Sequence, residues 1–403
     1  VIGAGPERSG EAIAGAAGPG GQPFFRSRWV EPPPGVEELG GDALAPGFRA
    51  AGVACGLKAS GEPDLGLVAC DAPSVASAML LTSNAAAAAP VRVCRERTDL
   101  GSLRGVVVNS GNANAATGER GYRDALAMRD AAAAALGIAP EACAVAQTGV
   151  IGVPLDLEAV ERGIAAAARE LEPAGGERFA RAIMTTDRWP KLCTLRAGGV
   201  TLSAQAKGAG MIEPRFATML CFVQTDAAVP DPERALRAAA GASFGRITVD
   251  GQQSTNDALV LQASGEAGRP LPDGLLEAVL LQLALDVLAD GEGATRIARV
   301  EVSGAAGDAE AERVARAIAN SQLVQAALFG RDPNWGRVVQ AAGMALAGEE
   351  LDLGAASVEA GELGTDAAEA EIALRLGRGD ARAHVYFSDL TYDYVRLNAE
   401  YTS

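Results

Sequence analysis

From Phe48 onward, short apolar runs alternate with helically spaced apolar positions. The stretches "GLVACDA" and "GVVVNSGNAN" are continuous apolar runs ended by polar or glycine residues, which is the mark of strands buried on both faces. "RDALAMRDAAAAALG" carries alanine at helical spacing and predicts a helix stopped by Gly137. "PLDLEAVERGIAAAARELEP", "PERALRAAAGASF" and "GLLEAVLLQLALDVLAD" predict three more helices, and "RVEVSG" a strand leading into the helix "AEAERVARAIAN". "EAEIALRLGRGDARAHVYFSDL" alternates on both sides of Gly377-Arg378-Gly379-Asp380, the pattern of a hairpin. Strands and helices mix without strict βαβ order, so the expected class is α+β, a layered sandwich with a smaller C-terminal α/β domain from about residue 297. Residues 1–45, rich in Gly, Pro and Glu, read as a loosely docked extension.

Composition narrows the function. With 403 residues, 48% of them hydrophobic, the chain can bury a large core. A formal net charge of -16 repels nucleic acid and anionic membranes, leaving a small molecule as the expected partner. No charge-free apolar run reaches membrane-spanning length and the start has no signal-peptide pattern, so the expected location is the cytoplasm. Cys55, Cys70, Cys94, Cys143, Cys193 and Cys221 form no CxxC pair and fit reduced, buried thiols. His384 is the only histidine and lies in an alternating stretch, so a Ser-His-Asp triad or a multi-histidine metal site is set aside. "GAGPER" near the start has Arg8 where a dinucleotide loop needs its third glycine, and no strand precedes it.

One segment raises a chemical question. In "KGAGMIEPRFATML" a lysine and a glycine-rich bend precede Ala217-Thr218 and an apolar run. A threonine hydroxyl is a weak nucleophile without a base, and an N-terminal threonine has one in its own α-amine, whose reference pKa is about 7.7–8.0. Attack of Thr218 Oγ on the Ala217 carbonyl would shift the peptide to an ester, and water would release two chains. Read by itself, "ATMLCFVQTD" is better taken as a buried strand whose threonine hydroxyl is satisfied by backbone.

That segment, together with "NSGNANAATGE", "TGVIG", "AIMTTD", "RITVDGQQSTNDA", "DGEGATR", "ANSQLVQAALFGRDPNWGR" and the terminal "DLTYDYVRLNAEYTS", resembles the ornithine acetyltransferase (glutamate N-acetyltransferase) family of arginine biosynthesis, in order from about Gly47 to Ser403. The resemblance implies self-cleavage between Ala217 and Thr218, an α chain of residues 1–217 and a β chain of residues 218–403, and an α2β2 assembly. It implies that Thr218 takes the acetyl group from N2-acetylornithine and passes it to glutamate in a ping-pong exchange, with no metal or bound cofactor. Some members of the family also accept acetyl-CoA. Thr148 and Gly149 would hold the oxyanion, and Thr185, Thr186, Lys207, Thr218, Glu292, Asn398 and Ser403 would bind substrate. Asn112, Asn114 and Asn256 read as structural, and Asp332, Asn334 and Trp335 as loop organisers.

Four positions depart from the family pattern. Arg215-Phe216 stands where a small polar residue and methionine are usual, Ala258 where threonine is common, and Ser403 where threonine ends the chain. Arg215 keeps a paralogous acyltransferase of a specialised pathway open as an alternative. An aminopeptidase-like hydrolase of the same fold is a second one, with water in place of the accepting amine.

Overall fold

The computed structural model describes residues 23–213, 219–349 and 351–400. They form two compact units, residues 23–292 and residues 293–400.

In the first unit, strands β1 (Glu37–Glu38), β2 (Phe48–Val53), β3 (Leu65–Cys70), β4 (Ala76–Leu81), β5 (Gly105–Asn109), β6 (Cys143–Gln147), β7 (Lys191–Ala197), β8 (Val200–Lys207), β9 (Leu220–Thr225), the short β10 (Ile247–Thr248) and β11 (Ala258–Ala263) alternate with helices α1 (Ala89–Arg97), α2 (Gly118–Leu136), α3 (Leu157–Arg169), α4 (Gly176–Ala182), α5 (Pro232–Ala242) and α6 (Leu275–Ala289). Two sheets result, a four-stranded one ordered β2-β3-β5-β6 and a six-stranded one ordered β1-β7-β8-β9-β11-β4. The expected buried strands are there, and every residue of β3, β5 and β9 is buried. The expected helices form with their punctuation: Gly137 ends α2 at φ 68°, and the Asp156 side chain caps α3 by accepting from the Ala159 amide.

Side-chain alternation along β3 shows how the layers stack. Leu65 meets α3 at Gly163, while the next residue, Gly66, faces Phe179 of α4. Helix α4 therefore lies on the face of the four-stranded sheet opposite α3. It also touches β7 and β8, and its Phe179 ring packs edge-on against Phe222 of β9 at 5.3 Å, so α4 is held between the two sheets. A Cβ on Gly66 would lie 2.7 Å from the Phe179 ring, so only glycine admits the helix this close. Helices α5 and α6 cover other strands of the larger sheet, α5 on β4 and β11, α6 on β7 and β8.

The extension expected to be loosely docked is firmly held over residues 23–45. Glu37 and Glu38 pair with β7, Arg26 bonds to the buried Asp286 at 2.5 Å, and the Ala45 amide donates to Ser203 Oγ at 3.1 Å. Its Gly and Pro content marks turns along a path fixed by polar bonds.

The second unit contains β12 (Ile297–Ala305), α7 (Asp308–Ala319), α8 (Gln322–Gly330), α9 (Trp335–Ala345), β13 (Ser357–Glu359), β14 (Glu369–Arg375), β15 (Ala381–Ser388) and α10 (Tyr392–Glu400). The hairpin expected across Gly377–Asp380 does not form. Strand β12 lies between β14, which it meets in parallel, and β15, which it meets antiparallel. The connecting residues cross the end of β12, with the Leu376 amide on Ser303 O and the Arg378 and Gly379 amides on Gly304 O. The "GRDPNWGR" stretch is a helix stop and start: Arg331 ends α8 in the left-handed region, and Asn334 caps α9.

Candidate active site

A turn after β6 presents Thr148 and Gly149. Gly149 sits at φ 131°, and a Cβ there would lie 2.3 Å from the Gly111 carbonyl carbon, so two backbones meet where no side chain fits. Buried amides hold this turn. Asn114 Nδ2 donates to Gln147 Oε1 at 2.8 Å, Gln147 Nε2 to Asn109 Oδ1 at 2.7 Å, and Asn256 Nδ2 to the carbonyls of Ala113 and Gln147 at 2.6 and 2.9 Å. Asn112, whose side-chain oxygen accepts the Asn114 amide, completes the brace. These asparagines spend their polar atoms on backbone, on Gln147 and on the hydroxyls of Thr117 and Thr255, as structural supports do.

Lys207 ends β8, and its ammonium donates to Thr185 Oγ1 at 3.1 Å. The neighbouring threonine turns elsewhere, Thr186 Oγ1 donating to Glu292 Oε1 at 2.8 Å. The Glu292 amide donates to Ala209 O at 2.8 Å, and its carboxylate rests on Gly210, where a Cβ would lie 2.6 Å away. Thr185, Thr186, Lys207 and Glu292 thus come together, although they are scattered along the sequence.

Asp187, which closes the "MTTD" stretch, organises this group. Its Oδ1 accepts the Gly208 amide and the Lys191 ammonium, both at 2.7 Å, and its Oδ2 accepts the Thr185 amide at 3.0 Å. Burial alone would raise its pKa, but the ammonium groups of Lys191 and Lys207 and these hydrogen bonds hold it well below the usual carboxylate range. Lys191 is itself fully buried and also bonds to Asp290 at 2.5 Å. Burial pushes the Lys207 ammonium below the ordinary lysine range against the pull of Asp187, Asp257 and Glu292. A lysine held this way favours an anionic partner.

Two links join the Thr148-Gly149 turn to the Lys207 group. Ser110, next to Gly111, donates from its hydroxyl to Ala182 O at 2.7 Å, just before Thr185. Asn256 braces the turn while Asp257, the next residue, acts electrostatically on Lys207. Asp257 is buried, and its Oδ2 has no hydrogen-bond partner. Burial raises its pKa well above the usual range, against a Ser254 hydrogen bond and the Lys207 charge. Asp187 and Asp257 are not foreseen in the sequence, although each is an acid at the edge of a motif already singled out.

Ala217, Thr218 and Ser403 lie outside the described residues, and so does Arg215. The chain resumes at Met219, whose carbonyl accepts the Ala258 amide at 3.0 Å and whose Cβ lies beside Gly208. Leu220 pairs with Lys207. In the sequence, Met219 directly follows Thr218. Asn398 lies on α10 in the second unit. All six cysteines are free, five of them buried, and His384 is a half-buried residue of β15. Among the described residues no cluster of His, Cys, Asp and Glu could hold a metal, and no helix is long and apolar enough to cross a membrane.

A family model described as the ArgJ family matches residues 49–403. A relative named arginine biosynthesis bifunctional protein ArgJ, from Thermosynechococcus vestitus, is 42% identical across 90% of this chain and 98% of its own length. A relative of the same name from Symbiobacterium thermophilum is 46% identical across 91% of this chain and 100% of its own. Two solved structures are also similar. The ornithine acetyltransferase of Mycobacterium tuberculosis, complexed with ornithine, is 41% identical with a TM-score of 0.44, over 45% of this chain and 98% of that one. The arginine biosynthesis bifunctional protein of Bacillus halodurans is 38% identical with a TM-score of 0.41, over 45% of this chain and 98% of that one.

Proposed function

Since the chain belongs to the ArgJ family of arginine biosynthesis, we propose that it is a glutamate N-acetyltransferase that carries acetyl from N2-acetylornithine to glutamate on Thr218. The observation that carries the reading is the grouping of Lys207, Thr185, Thr186 and Glu292 at the end of β8, beside the strand that Thr218 precedes.

The nucleophile is made by the chain itself. Thr218 Oγ attacks the Ala217 carbonyl carbon, the C–N bond breaks, and the nitrogen becomes the α-amine of Thr218. Water then hydrolyses the ester and frees the Ala217 carboxylate. In each turnover that amine takes the hydroxyl proton as Oγ attacks the acetyl carbonyl, and ornithine leaves with its nitrogen reprotonated. The glutamate amine attacks the acetyl-threonine ester and restores Oγ. The Gly149 amide and the Thr148 hydroxyl are the donors for the oxyanion of both steps, a contribution of about 2.7–4 kcal/mol per donor in comparable sites. Lys207 offers its charge to the α-carboxylate shared by both substrates, and Glu292 its charge to an ammonium. Asn398 and Ser403 complete the substrate contacts in this reading. No metal or bound cofactor enters these steps, acetyl-CoA serves as a second acetyl donor, and the working assembly is α2β2.

Intact mass under denaturing conditions tests the first step. The parent should give two fragments meeting at Ala217/Thr218 and the Thr218→Ala variant one chain of 40.8 kDa. A single full-length chain in both would remove the free amine and the mechanism with it. Acetyl transfer from N-acetylornithine and from acetyl-CoA to glutamate, assayed on the cleaved protein, then reads the donor.

A further inference from the structure

Lys58 is a second cation at this site. The Asp64 carboxylate gathers the amides of Cys55, Gly56, Leu57 and Lys58 at 2.6, 3.1, 2.7 and 2.9 Å and so fixes the backbone that carries it. The Lys58 side chain runs along Gly111, where a Cβ would lie 3.3 Å from Lys58 Cγ, and Gly111 is the residue pressed against Gly149. Lys58 therefore borders the oxyanion turn through Gly111. Its half-buried ammonium donates to Pro63 O at 2.8 Å and makes no ion pair among the described residues. Burial holds the ammonium below the ordinary lysine range, opposed by Asp64 and Asp187 and assisted by Lys207, so it lies within the field of the Asp187-Lys207 group.

The charges of the two substrates give this lysine a task. N-acetylornithine has one carboxylate, whereas glutamate has two. Lys207 answers one carboxylate, and Lys191 is already closed between Asp187 and Asp290. We propose that Lys58 is a specificity-determining residue for the acceptor, its ammonium pairing with the side-chain carboxylate of the incoming amino acid. The inference rests on the acetyltransferase reading above and assigns a subsite within it.

The test compares glutamate with glutamine as acceptor, and N-acetylornithine as donor, in the wild type, Lys58→Gln and Lys58→Arg. Lys58→Gln keeps a donor for Pro63 O and removes the charge. It should raise KM for glutamate at least about tenfold more than KM for N-acetylornithine, and should bring glutamate and glutamine close to parity. Lys58→Arg should restore most of the preference for glutamate. An unchanged glutamate/glutamine ratio in Lys58→Gln, or an equal rise in both KM values, overturns the assignment. If Lys58→Gln fails to fold, the wild-type ratio itself decides, since a wild type that accepts glutamine as well as glutamate has no acceptor-side cation. A wild type that transfers no acetyl from N-acetylornithine would instead remove the underlying function.

Discussion

Asp187 shows how much one side chain can determine. With two oxygens it fixes the Thr185 amide, the Gly208 amide and the Lys191 ammonium, and so sets the distance between the threonine pair and the end of β8. Removing one partner of a buried ion pair typically costs about 3–5 kcal/mol, because the other charge stays buried. Asp187→Asn should therefore lower stability on that scale and raise KM for donor and acceptor together, since it moves the shared α-carboxylate site. Its pH signature has a definite sign. The folded-state pKa lies below the unfolded value of about 3.9, so the stabilisation is complete above about pH 4 and is lost as pH falls towards the folded pKa. Urea unfolding between pH 2.5 and 6 should show the gap between wild type and Asp187→Asn narrowing only below about pH 4. A gap that stays constant down to pH 2.5 would mean that the charge of Asp187 is not what stabilises.

Among the elements, α4 links packing to the site. It is clamped between the two sheets by Phe179, and the chain leaving it reaches Thr185 within three residues of its last residue, Ala182. Phe179→Ala should cost about 3–5 kcal/mol, a typical loss for a buried phenylalanine. Thermal unfolding should show the drop, and a variant with the wild-type Tm would mean that the layer closes without the ring. The elements differ in how readily the sequence shows them. Helices α2, α3, α5 and α6 and strands β3, β5 and β9 are legible because period and punctuation are local properties of the chain. The supposed hairpin at 369–390 fails because alternation says that two strands exist, not what each pairs with; β12, more than sixty residues earlier, takes the place between them. The site divides in the same way. Thr148, Gly149, Lys207 and Glu292 stand in recognisable motifs, whereas Asp187, Asp257 and Lys58 gain their importance from what the fold brings beside them, Gly208 at Asp187, Lys207 at Asp257 and Gly111 at Lys58. Residues 23–45 misled for a related reason, since the Arg26–Asp286 pair spans most of the first unit's chain.

At the scale of the whole molecule, the proposed cut runs through the middle of a sheet. Strands β1, β4, β7 and β8 precede residue 217, and β9 and β11 follow it, so the β8–β9 and β4–β11 ladders would each join the two fragments. Leu220, Phe222 and Val260 belong to the same hydrophobic core as Leu67, Val107 and Phe179. The fragments should therefore run as one species on size-exclusion chromatography in native buffer and separate only in denaturant. Separation in native buffer would contradict the shared sheet. That sheet also makes the protein's history matter. The newly made chain folds as a single molecule, with β8 and β9 delivered to each other by the few residues between them. After the cut, the same ladder can be rebuilt from the denatured state only by an encounter between two solutes, at a rate that depends on concentration. The cleaved enzyme would be kept in its native state by the barrier to losing it, and not by an easy return.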